Sequence, residues 1–175
     1  MTWTAPPFER GQELGALGAV DERRMLEGWL RRHRETLLAK CAGLDADQLA
    51  RAAVEPSGLT LLGLVRHMAE VERFWFRRSF AREAVGPVFT GPGDGDEGLA
   101  GVDPAHAERD FGRFLAEVEA CDAAAAGHGL DETFESTTGV PLSLRFVYTL
   151  MIQEYARHNG HADLLRERTD GATGD

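Results

Sequence analysis

No apolar run in this sequence approaches the roughly 18 residues that a membrane span requires, so no membrane partner is expected. Positive charge is short as well. Lys and Arg total 19 against 29 Asp and Glu, and the net charge of −10 argues against nucleic acid or an anionic lipid surface. The opening residues, MTWTAPPFERGQELG, lack the basic start and apolar stretch of a secretion signal. Cysteine is down to two, Cys41 and Cys121, with no CxxC spacing. Both fall within helical patterns, which fits small buried thiols in a reducing compartment, so the expected location is cytoplasmic. Lysine is down to one, Lys40, beside abundant Ala, Gly and Arg, a bias of genome composition that carries no mechanism.

What is present is helical. At 175 residues, 43% hydrophobic and 27% charged, the chain is long enough for one domain with its own core, residues 1–175. Residues 1–18 carry Pro and Gly without a period and read as an N-terminal arm over the body. Asp21 opens a helix that Gly43 ends. Its stripe is Met25, Leu26, Trp29, Leu30, Leu37 and Leu38, with His33 inside it as a hydrogen-bonded histidine and arginines on the other face. Asp45 to Ala53 is a short helical turn, and a second helix follows from Leu59 to Phe80 with an inward line of Leu64, His67, Val71 and Phe74.

The stretch 85–102, VGPVFTGPGDGDEGLAGV, is a long Gly/Pro-rich loop between the second and third helices. No Gly-Lys-Ser/Thr follows it, and Asp94, Asp96 and Glu97 lack the calcium-loop pattern, so it reads as a solvated linker. Asp103-Pro104 starts a third helix that runs to about Ala126, with Phe111, Phe114, Leu115 and Val118 as its stripe. Asp131 to Thr138 reads as extended. From Pro141 to Thr169 the pattern is one closing helix, with Pro141 in its first turn and 168–175 as a tail. Four principal helices predict an all-α fold, an antiparallel four-helix bundle.

On the closing helix Val147, Met151, Glu154, His158, His161 and Leu165 recur at spacings of four, three, four, three and four. That is a seam facing neighbouring helices, so three metal-capable side chains point at the core. Buried Glu and His must be hydrogen-bonded, paired or metal-bound. Residues three or four apart on a helix share a face, and a donor from another helix, here His67, completes a set of three with an open position. His-plus-carboxylate sets suit zinc and nickel, and an iron(II) site is compatible with them. Histidines hydrogen-bonded within an ordinary helical bundle would give the same spacing.

The segments LTLLGLVRHMAEVERFWF and EYARHNGHADLLRE resemble the DinB/YfiT-like superfamily of four-helix metal proteins, near the mycothiol-dependent maleylpyruvate isomerase branch. The resemblance covers about Asp21 to Glu167. It implies His67, Glu154 and His158 as metal ligands, with Glu154 standing where many relatives carry His. His161, one position past Gly160, either replaces Glu154 as ligand or stands behind the ligands as a hydrogen-bond donor or catalytic base. The implied cofactors are a divalent metal and a low-molecular-weight thiol such as mycothiol. The implied activity is thiol-dependent S-transfer or isomerisation of a small electrophile, and a homodimer is expected. Arg66 and Arg157 read as surface salt-bridge partners, with binding of an anionic substrate as the alternative. Glu70 and Glu72 read as residues of a solvated face, with orientation of His67 as the alternative, and Asp163 is a candidate for the same work beside His161. Two other readings stay open: metal-assisted hydrolysis, and metal binding without turnover.

Overall fold

Side-chain caps define where the helices begin. Asp21 accepts from the Arg24 N–H at 3.0 Å and opens α1, Glu22–Cys41. Asp45 and Gln48 form a reciprocal capping box on the short α2, Ala46–Leu49. Thr60 caps α3, Leu61–Glu72, through the Gly63 N–H at 2.9 Å. A single 3₁₀ turn, Pro104–His106, is capped by Asp103 and leads into α4, Ala107–Ala125. Gly43 and Gly127, at φ 76° and 77°, take the left-handed conformation that ends α1 and α4. The computed structural model describes residues 3–8, 11, 14–89, 99 and 102–174. Most of the stretch 85–102, with Asp94, Asp96 and Glu97, lies outside them.

Two expectations about element type change. Beyond Glu72 the second helix continues as a π-helix, Arg73–Phe80, closed by the Ala81 N–H to the Phe76 carbonyl at 3.0 Å. Its wider turn buries Phe76 and Phe80 and leaves Phe74 half-buried. The closing helix α5 runs Leu144–Asp170, because Pro141–Ser143 instead forms a strand, β2, antiparallel to β1, Thr133–Glu135. Ser143 then supplies the cap, accepting from the Phe146 N–H at 3.2 Å. Apart from these two strands the described residues are helix, turn and loop: the fold is all-α.

Helix α1 packs along α5 and α3 along α4, while α3 also meets α5. Leu37, Leu64, Met68, Phe76, Phe114, Met151 and Tyr155 are fully buried among them. The arm lies over this body. The Ala5 N–H bonds the Leu44 carbonyl at 2.9 Å, and the Trp3 ring meets Phe111 with centroids 5.2 Å apart.

Three expected surface or stripe positions are corrected. Leu115 is 44% exposed, because α4 turns Asp110, Phe111, Phe114, Glu117 and Cys121 inward instead. Arg34 is buried rather than on an outer arginine face, and Glu72 has no exposure at all. They are ion-paired to each other, which is what permits either to be there. Glu117 is buried on the same terms, held by Arg73 and Arg77 of the π-helix.

Cys41 and Cys121 are free and inaccessible, and burial pushes the Cys41 thiol up to about 12. Burial, followed by the nearby Glu72 and Glu117 carboxylates, raises Cys121 further. Since only the thiolate reacts readily, native protein at pH 8 should resist an aromatic disulfide reagent, with both thiols released on denaturation. Rapid labelling of either cysteine in the native state would contradict the packing described here.

Candidate metal centre

His67 sits midway along α3, flanked by the fully buried Leu64 and Met68 and itself 7% exposed. It faces α5 where that helix carries Glu154 and His158, four residues apart on one side. One donor atom from each of His67, Glu154 and His158 lies within 4.8 Å of the other two. The two imidazoles meet edge to face, with centroids 4.6 Å apart and planes at 64°. His158 Nε2 stands 3.6 Å from Glu154 Oε2, and Arg157 holds the other Glu154 oxygen at 3.5 Å from the solvent side.

The donor set fits a divalent ion. Two imidazoles and a carboxylate are borderline ligands of the kind zinc and its neighbours accept, and they come from two helices with other positions left open. His158 Nδ1 is buried without a hydrogen-bond partner, so this ring has bonding capacity that the protein itself does not use. Burial, then the neighbouring His67, His161 and Arg157, pushes His158 down to about 4. At neutral pH the ring is therefore uncharged, and one of its two nitrogens keeps a free lone pair.

His161 lies beside this group and not in it. Its ring centroid is 5.4 Å from that of His158, and its Nδ1 is likewise buried without a partner. His33 faces α5 elsewhere: Asn159 Nδ2 donates to its carbonyl at 3.0 Å and lies 3.4 Å from its Nδ1. That is the hydrogen-bonded histidine the sequence suggests. Asp163, which could have served His161, is instead paired with Lys40 at 2.6 Å.

The remaining candidates divide. Arg157 is a surface salt-bridge residue as expected, at 55% side-chain exposure. Arg66 is not. It is largely buried, 3.8 Å from the buried Asp110 carboxylate, with its guanidinium 5.0 Å above the Phe89 ring. Glu70 is buried rather than solvated, and accepts from the Phe89 N–H at 2.6 Å. On the other side of His67, a Cβ at Gly63 would come within 2.7 Å of the Leu99 carbonyl. The chain leaving and re-entering the 85–102 stretch is thus held against α3 on both sides of His67. A helical glycine was the one sequence signal for that second approach. Glu72 and Tyr155, on the inner side of the same two helices, have no signal of this kind.

The fold and the cluster define a class: an all-α protein whose two adjoining helices offer a His/Glu/His donor set. The chain matches the family model for mycothiol S-transferase over residues 25–171 and belongs to that family, a branch of the DinB/YfiT-like superfamily. The match takes in α1 from Met25 onward and all of α2 to α5, with His67, Glu154, His158 and His161, and leaves the N-terminal arm outside. No curated protein matches the chain, and no solved structure does.

A pH effect follows for the metal-free chain. His158 has its folded value below the ordinary 6.5, so between about 6.5 and 4 the unfolded chain binds a proton that the folded chain refuses. Stability should fall through that window as pH drops, and this group should contribute no slope above it. Urea unfolding at several pH values, in wild type and His158→Gln, measures the difference. Identical slopes in both would contradict the environment assigned to the ring.

Proposed function

We propose that this protein is a divalent-metal-dependent S-transferase that uses a low-molecular-weight thiol such as mycothiol, acting on a small electrophile in the cytoplasm. The observation that carries the reading is the convergence of His67, Glu154 and His158 in a chain of the mycothiol S-transferase family. We read the four long helices, α1, α3 with its π extension, α4 and α5, as an antiparallel four-helix bundle. The pairing of α1 with α5 and of α3 with both α4 and α5 supports this, as do the bonds from Arg23 and Arg34 of α1 to α4.

In this reading His67, Glu154 and His158 hold the ion, zinc being the natural choice for the set. A divalent ion held there would supply the Lewis acidity that lowers the pKa of a thiol. His161, with Nδ1 unpartnered, takes the thiol proton. The thiolate sulfur then attacks the electrophilic carbon with its electron pair. A C–S bond forms, and the leaving group departs with the pair of the bond it loses. Where no group leaves, addition to a double bond makes that bond single, and rotation about it follows. Expulsion of the thiolate with the C–S electron pair then restores the double bond in the isomer. Glu154 keeps its second oxygen against Arg157, which orients the carboxylate. Leu64 and Met68, fully buried on the same helix, shield one side of His67 from water.

Elemental analysis and S-transfer assays with mycothiol and an aryl halide test this. Wild type should carry near-stoichiometric metal, and His67→Ala and His158→Ala should lose both metal and transfer while staying helical by circular dichroism. His161→Gln should keep the metal and lose about 100-fold in rate, the scale of a removed general base. Ester hydrolysis without any thiol, or wild-type transfer in a metal-free variant, would refute the assignment.

A further inference from the structure

Five residues beyond His67 on α3, Glu72 has no exposure to solvent. Arg34 of α1 donates to it twice, through Nε at 2.8 Å and Nη2 at 2.5 Å. The Tyr155 hydroxyl of α5 donates to it at 2.5 Å. Arg34 Nη1 reaches Asp122 of α4 at 2.8 Å, and Asp122 is the solvent end of the chain of bonds, 60% exposed. Tyr155 is itself fully buried. It directly follows Glu154 and precedes His158 by three residues. Burial, then the Glu72 charge, raises its hydroxyl well above the ordinary tyrosine value, so it remains a donor.

A buried carboxylate that loses one of its donors bears the desolvation cost of the unmatched lone pair, so this hydrogen bond constrains how α3 sits against α5. The metal donors impose the matching requirement. His67 belongs to one helix, Glu154 and His158 to the other, and a slip of one residue along a helix moves a donor by about 1.5 Å. Ligand distances tolerate only about 0.2 Å. The same two helices thus carry a demand for register on one side and a bond that sets register on the other.

We propose that Tyr155 and Glu72 are positioning residues for the metal centre: their hydrogen bond, anchored by Arg34, fixes α3 against α5 so that His67 meets Glu154 and His158. The proposal rests on the metal reading above. It assigns the buried triad a role that packing alone does not require, because apolar residues of similar volume fill such a site at no loss of stability.

The test is titration of the metal-free chain with cobalt(II), followed by its visible absorption. Tyr155→Phe keeps the ring and removes one hydroxyl. It should remain helical, bind cobalt roughly tenfold more weakly, as loss of an outer partner of a metal site does, and show an altered band. Phe114→Leu, a core change away from the triad, and Asp122→Asn, which leaves both donors on Glu72, should keep wild-type affinity and spectrum. Should Tyr155→Phe not fold, Arg34→Lys loosens Glu72 from the α1 side and should weaken cobalt several-fold. Wild-type affinity and spectrum in Tyr155→Phe, or in Arg34→Lys where that is the variant read, would overturn the proposal. So would an equal loss in Phe114→Leu. A wild type that takes up no cobalt would overturn the metal centre itself, and this inference with it.

Discussion

A carboxylate placed where water cannot reach it must be met by donors from its surroundings, and Glu72 is met from two other helices at once. Arg34 of α1 and Tyr155 of α5 both bond to it, and Arg34 continues to Asp122 of α4. One network therefore touches all four long helices. Such a network adds little net stability compared with apolar packing, but it penalises arrangements in which any one helix has slipped. The apolar core, Leu37, Leu64, Phe114 and Met151 among it, supplies non-directional contacts that tolerate small shifts better than the network does.

The seam between α3 and α5 inherits this register. There His67, Glu154 and His158 come together with the His158 ring incompletely bonded. The π-helix that follows α3 changes how the next residues turn. Arg73 and Arg77 both reach the buried Glu117, while Phe76 enters the core against Tyr148 at 5.3 Å between centroids. A regular α-helix would place Phe74 on the inward line. Buried acids thus anchor the polar interior at Glu72 and Glu117, and at Asp110, which Arg109 holds at 2.9 Å. Each acid is matched by arginine, in keeping with the planar guanidinium's ability to bind a carboxylate through two atoms.

Much of this was legible in the sequence because a helix repeats. The four-three spacing from Val147 to Leu165 located the donor face of α5, and Asp21, Asp45 and Asp103 marked starts that the caps bear out. The convergence of Glu154 and His158 with His67 could be anticipated, since three side chains with metal-binding capacity occupied seam positions where apolar residues belong. The errors have a common origin. The helical pattern puts Arg34, Glu70 and Glu72 first on solvated faces, because a charge in such a pattern carries no mark of its partner, and each partner lies far away in sequence. Pro141 suits a helix start as well as a strand edge, and only pairing with β1 decides between them. The π-helix has no residue signature, being set by packing.

The central claim is that a divalent ion belongs between α3 and α5, on His67, Glu154 and His158. Anomalous diffraction at the zinc edge from zinc-loaded crystals tests it most directly. The account predicts a single strong peak about 2.0–2.2 Å from one atom of each of the three side chains, the range of zinc–nitrogen and zinc–carboxylate bonds. A peak bonded to His161 with Glu154 turned away, or no peak between the two helices, would contradict it.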